Sequence, residues 1–199
     1  TVGAGNLNIT LYSFIYHEYM NGHSGSYNNS VNDEALRGTA AKAFVNGYME
    51  NFTWRDQGQI SYEWDKLWYN AVPDQASIIS WAKMLVKLRY GIGRKFLING
   101  RMMKPWKVSH VTERDFGLGK APIVESATWK APDGNFGVVL ANYGSIIETP
   151  KIELKGEGKN KIIIYVNGEK KMEEMNLPAE LNINLPPRTL ALIEVTKSK

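Results

Sequence analysis

His17 and Glu18 are a pair of titratable residues that directly follows an apolar, β-forming run at residues 11–16 (LYSFIY). The run leaves little polar surface, which predicts a buried strand. A glutamate at the tip of a strand can act as an acid, a base or a nucleophile, so the pair contains the candidate catalytic residues. Side chains alternate along a strand, and we therefore expect one of the two to face a site and the other the wall of the fold. The competing interpretation is that Glu18 caps the next loop or pairs with a structural arginine.

The elements after this pair are typical of one unit of an α/β barrel. A loop rich in glycine, asparagine and serine follows at residues 21–32. A helix is predicted to begin near Glu34, where Asn32 or Asp33 can cap it. Its apolar residues recur at helical spacing, and we expect it to end near residues 51–54. In such barrels the chemistry lies at the carboxyl ends of the strands, which is the predicted position of the titratable pair.

A second helix is predicted after Asp74, which can cap its first turn. Gly91 and Gly93 are expected to end it. Its predicted buried face consists of apolar residues at helical spacing: Ile78, Trp81, Ala82, Leu85 and Leu88. With the preceding helix, it gives the region of residues 1–95 two main helices, which we assign to the C-terminal part of a TIM-type barrel.

From residue 96 onward, apolar residues alternate with a period of two, which is typical of strands. Seven short strands are predicted, at residues 108–112, 123–129, 136–142, 151–154, 161–166, 180–185 and 189–195. Asn167-Gly168 predicts a tight hairpin, and residues 156–158 (GEG) predict a turn. The sequence thus predicts an antiparallel β-sandwich domain over residues 96–199, and the fold class is α+β with two domains. Trp106 and Trp129 are expected in the core or the interface of this second domain.

Three further residues are candidates for contact with a substrate. His23 lies in the glycine-containing loop after the first strand, and Trp54 and Trp64 belong to an aromatic-rich connector between the two helices. Aromatic faces with a few placed polar groups are suited to a ligand pocket. The alternatives are that His23 lies in an exposed loop and that the tryptophans pack between the helices.

Composition limits the remaining function classes. A formal net charge of +4, with the basic residues scattered, does not favour nucleic-acid binding. No apolar stretch is long enough for a membrane span. Three histidines without a cysteine do not match a usual zinc ligand set, and the P-loop and dinucleotide fingerprints are missing, so neither a metal nor a cofactor is expected. The absence of cysteine fits a reducing compartment or a thermally robust bacterial protein, and the first of these slightly favours the cytoplasm.

The chain begins with Thr1 in a loop-like segment, and a complete barrel takes about 250 residues. We therefore expect this sequence to be a piece of a larger protein. The partner that completes it would be an upstream barrel portion or a second copy of the chain.

Four stretches resemble the C-terminal part of retaining glycoside hydrolases of the clan-A type or related ones: residues 11–19, 126–134, 138–143 and 185–193. The resemblance implies a carbohydrate substrate and the end of a TIM-type barrel followed by a β-sandwich. It also implies that Glu18 and His17 line the sugar site. The sugar, the linkage and the choice between retention and inversion stay open, because the second carboxylate is not identified. The alternative is a non-catalytic carbohydrate-binding or structural module.

Overall fold

The computed structural model describes residues 32–49, 52–54, 58–61, 71–115 and 120–197. Three helices lie in its first part: α1, Asp33–Val45; α2, Gln75–Tyr90; and α3, Arg94–Leu97. Between α1 and α2, two short strands pair antiparallel, β1 (Thr53–Trp54) and β2 (Ile60–Ser61).

Helix α1 begins as predicted and ends earlier than predicted. The side chain of Asn32 caps it by accepting a hydrogen bond from the Ala35 amide at 2.9 Å. The helix ends at Val45 and not near residues 51–54, because Gly47 adopts a left-handed conformation with φ of 75°. The Gly47 and Tyr48 amides then donate back into the last turn, which is the common glycine-terminated helix end.

Helix α2 begins and ends where the sequence predicts. Asp74 accepts a hydrogen bond from the Ser77 amide at 3.0 Å, and the chain leaves the helix at Gly91. Ile78, Trp81 and Leu85 are fully buried, as the apolar spacing predicts. Arg89 is also buried, which its charge did not predict.

In the described residues nine strands follow α3, and every pair described among them is antiparallel, so the predicted antiparallel class is confirmed. Seven form one sheet in the order β10-β9-β11-β8-β7-β3, with β4 also paired to β9, and β5 and β6 form a separate pair. The strands are β3, Arg101–Met103; β4, Val108–Ser109; β5, Glu113–Asp115; β6, Lys120–Pro122; β7, Val124–Lys130; β8, Phe136–Asn142; β9, Lys151–Val166; β10, Glu169–Asn182; and β11, Thr189–Lys197.

One predicted turn is wrong, because residues 156–158 lie inside the continuous strand β9. Gly156 and Gly158 have φ of 149° and 68° there, and the register of β10 shifts opposite them. The two glycines thus mark an irregularity in a long hairpin and not the end of a strand. The predicted hairpin turn is confirmed, since Asn167 and Gly168 have φ of 51° and 86° between β9 and β10.

Both faces of the large sheet contribute residues to buried clusters. One face packs on α1 and α2 through residues such as Ala127, Trp129 and Leu192. The opposite face forms a second cluster around Trp106 and Leu140. Both tryptophans expected in the core are therefore buried. The helices and the sheet contribute to the same buried cluster. The domain boundary at residue 95 stays a prediction.

Candidate functional site

The residues predicted to carry chemistry lie mostly outside the described part of the chain. His17, Glu18, His23 and Trp64 belong to undescribed segments, so their roles stay predictions. Trp54 lies in β1, where its backbone pairs with Ile60. The described residues contain the helices and the sheet, but of these five candidates only the backbone of Trp54.

Two arginines show how α1 and α2 are arranged. Near the beginning of both helices, Arg37 Nη2 of α1 donates to Ser77 Oγ of α2 at 3.0 Å. At the other end of both helices, Arg89 of α2 donates to the carbonyls of Gly47 and Tyr48 at 2.8 and 2.9 Å. The N-terminal parts of α1 and α2 are in contact, and so are their C-terminal ends. The two helices therefore lie side by side and run in the same direction.

The N-terminal ends of the two helices consequently lie at one end of the molecule. The chain enters α1 at Asn32 and α2 at Asp74, and both residues cap their helices there. In a strand-loop-helix unit, the loop after the strand leads into the helix N-terminus. This end of the helix pair is therefore the place at which loops that carry a site would enter.

An ion pair and a hydrogen bond connect this end to the β region. Arg114 Nη1, from β5, donates to both carboxylate oxygens of Glu34 in the first turn of α1, at 2.5 and 2.7 Å. Arg188, which precedes β11, donates to Ser77 Oγ at 2.8 Å. Sequence reasoning did not identify this cluster, because its members lie on α1, α2, β5 and the loop before β11, up to 154 residues apart, and share no local pattern. These groups are engaged with one another, and the cluster fixes the helix ends against the sheet loops.

Glu125 is the one carboxyl in the described residues whose pKa is raised close to neutrality. It lies on β7 with the parity of Ala127 and Trp129, hence on the face that packs against α1. Burial raises its pKa from 4.5 to about 7, and the positive charge of Lys42 on α1 opposes part of this shift. A carboxyl that titrates near neutral pH is suited to proton transfer, although buried structural groups share this property.

Tyr143 lies beside Glu125 in this interface. Its hydroxyl donates to the Pro122 carbonyl at 2.9 Å, and burial, followed by the negative charge of Glu125, raises its pKa. The ring packs so closely on α1 that a Cβ at Gly38 would lie 2.9 Å from it. Sequence reasoning missed Glu125, because the burial that perturbs it comes from a helix about 80 residues away and leaves no local signal.

The described residues contain no group of three or more His, Asp or Glu side chains arranged to hold a metal ion. No helix among them is both long and apolar enough to cross a membrane.

No protein-family model matches the sequence, and no curated protein matches it either. Among solved structures, the chain is similar to a GH30 endoxylanase from Clostridium papyrosolvens C71, with 10% identity, a TM-score of 0.43 and coverage of 89% of this chain and 41% of that one. A family 5 glycoside hydrolase from Bacteroides vulgatus ATCC 8482 gives 14% identity, a TM-score of 0.39 and coverage of 84% and 37%. A GH51 arabinofuranosidase from Xanthomonas axonopodis pv. citri gives 12% identity, a TM-score of 0.39 and coverage of 58% and 26%.

All three of these structures are glycoside hydrolases, and this chain spans less than half the length of each. Glycoside hydrolases are also the class that the sequence resemblance indicates. At TM-scores of 0.39 to 0.43 the structural similarity itself assigns neither a family nor an activity.

Proposed function

We propose that this chain is the C-terminal region of a glycoside hydrolase. In this proposal, residues 1–95 complete an α/β barrel, and residues 96–199 form a β-sandwich that packs on its helices. The upstream part of the barrel would lie on the same polypeptide or on a partner chain.

The parallel arrangement of α1 and α2 carries this proposal. Consecutive helices joined by a short loop form a hairpin and run antiparallel. Consecutive helices that run parallel require the connection to return along the whole helix, which is about 20 Å for the 13 residues of α1. Residues 46–74 provide that connection. Repeated return of the chain between parallel helices is the construction principle of α/β barrels.

The packing of the sheet supports the second half of the proposal. One face of the sheet covers α1 and α2, and Trp129 Nε1 donates to the Val45 carbonyl at 3.0 Å across this interface. The opposite face closes a core of its own. A β domain attached to the outer surface of barrel helices is the architecture that the sequence resemblance implies.

The proposed site lies at the end of the molecule where α1 and α2 begin. Glu18 would act there as the acid/base or the nucleophile in cleavage of a glycosidic bond, and His17 would line the same site. His23, Trp54 and Trp64 would contact sugar rings and hydroxyls. This assignment combines the sequence pattern with the helix direction.

The test is the substitution Glu18→Gln in the intact protein that contains this chain. Loss of a carboxylate that performs proton transfer should lower turnover of aryl glycosides about 100-fold or more, with the fold retained. Glu157→Gln is the matched control, because Glu157 is an exposed carboxylate in the middle of β9. A wild-type rate for Glu18→Gln would show that this residue takes no part in the reaction.

The second candidate function is a carbohydrate-binding or structural module without catalysis. The ion pair between Glu34 and Arg114 favours this second candidate, because it occupies a carboxylate that lies near the proposed site. A binding module predicts that saccharides change tryptophan fluorescence while every glycoside in the panel stays intact. Hydrolysis that depends on Glu18 would contradict it.

A further inference from the structure

A cleft of about 520 Å³ lies between the C-terminal half of α2 and two turns of the sheet. Met84 and Leu88 form its helix wall, and Tyr165 and Leu190 line its sheet side. A volume of this size is within the usual range of small-molecule sites. Its helix wall begins at Met84, ten residues after the Asp74 cap, and Arg188 is the residue that it shares with the cluster at the beginning of the helices.

The wall formed by the sheet turns is fixed by hydrogen bonds. The Asn142 side-chain amide donates to the carbonyls of Leu185 and Pro186 at 3.0 and 2.9 Å. Arg188 has φ of 54°, and its amide donates to the Gly144 carbonyl at 3.2 Å. Asn167, whose φ is 51°, lies on the same cleft. The hydrogen bonds of Asn142 and Arg188 and the hairpin turn at Asn167 therefore fix the shape of the sheet side of the cleft.

The charge of the cleft has one sign. Lys87 and Arg188 line it, and no Asp or Glu is among its described lining residues. Lys87 is exposed and forms no ion pair with any other described residue. The Arg188 guanidinium points along α2 to Ser77, ten residues before Lys87. Lys87 is thus the cation available to a ligand, and Arg188 adds positive potential at the opposite end.

The remaining surface of the cleft selects against a highly hydroxylated ligand. Asn167 and Thr189 are its uncharged polar side chains, and the Asn167 amide donates to Thr189 Oγ1 at 3.3 Å. Thr189 Oγ1 donates in turn to the Pro187 carbonyl at 3.2 Å. These groups are engaged with the protein, so few partners remain for sugar hydroxyls, whereas the apolar walls can bury a ring or a short chain.

We propose that this cleft binds a small organic acid with an apolar body, whose carboxylate contacts Lys87 and whose body lies between Leu88 and Tyr165. The site is independent of the proposed glycosidase activity. Its chemistry is charge pairing at the rim and burial of apolar surface below it.

Calorimetric titration of the intact protein with 2-naphthoate tests the proposal. Naphthalene-2-carboxamide is the probe control, because it has the same rings without the charge. Lys87→Gln is the test variant. Lys83→Gln is its matched control, because Lys83 lies one turn earlier on α2 and outside the cleft.

We expect 2-naphthoate to bind the wild-type protein about fivefold more tightly than the carboxamide, and Lys87→Gln to remove most of this difference. Raising the salt concentration should weaken binding of the acid and leave that of the amide unchanged. Equal binding of both probes, an equal loss in Lys83→Gln, or no heat of binding at millimolar concentration would each overturn the proposal. None of these outcomes depends on Glu18.

Discussion

Glu125 should make the stability of this protein depend on pH near neutrality. Burial against α1 raises its pKa from 4.5 to about 7, which means that the folded state holds a proton that the unfolded chain has already released. Between these two pH values the unfolded state therefore binds fewer protons, and the free energy of unfolding falls as pH rises. Well below pH 4.5 the carboxyl is protonated in both states and does not change the free energy of unfolding.

The size of this effect follows from the shift. Each pKa unit corresponds to about 1.4 kcal/mol, so a rise from 4.5 to about 7 costs up to about 3 kcal/mol once the pH exceeds 7. The side chain is half-buried and keeps some contact with solvent, which makes this figure an upper limit. Glu125→Gln removes the charge and nearly preserves the shape, so the variant should recover that energy.

Urea unfolding at pH 5 and pH 8 measures the difference. We expect Glu125→Gln to be more stable than the wild type by up to about 3 kcal/mol at pH 8, and by less than about 1 kcal/mol at pH 5. Glu157→Gln, at an exposed position, should show no such dependence on pH. An equal change at both pH values would mean that the ionisation of Glu125 is not the cause, and the reasoning on its burial would be wrong.

Two substitutions test the packing that holds the sheet. Gly38→Ala places a methyl group 2.9 Å from the buried Tyr143 ring. We therefore expect α1 to shift and the free energy of unfolding, measured in urea, to fall by about 1–3 kcal/mol. Thr39→Ala, on the same helix, is the control, and we expect it to change the free energy of unfolding much less than Gly38→Ala does. Gly134→Ala is not suitable as a control, because Gly134 has φ of 86°. Asn142→Ala removes a side chain that donates to three carbonyls, those of Ile146, Leu185 and Pro186, and we expect a loss of about 1–3 kcal/mol in the same assay. Unchanged stability of either variant would show that these contacts contribute little.

Local signals explain which elements the sequence could predict. Helix α2 was predictable because Asp74 caps it, its apolar residues keep helical spacing, and Gly91 follows its last turn. The hairpin at Asn167-Gly168 was predictable because this dipeptide adopts the two left-handed conformations that the turn requires. Both features depend on residues that are close in sequence.

Features that depend on distant residues were not predictable in this way. Residues 156–158 look like a turn, and only the pairing with β10 shows that β9 continues through them. The raised pKa of Glu125 arises from α1, and the parallel direction of α1 and α2 appears only in the contacts of Arg37 and Arg89. The candidate site at Glu18 belongs to the sequence pattern alone, since that residue lies outside the described part of the chain.

The unbroken course of β9 has a consequence for how the β region unfolds. Its first residues pair with β4, and its last residues pair with β11. Ile152 from the first half and Ile164 from the second belong to the same buried cluster. Because one strand contributes to both arrangements, neither half can separate without exposing the apolar surface of the other, and the long hairpin couples them into a single cooperative unit.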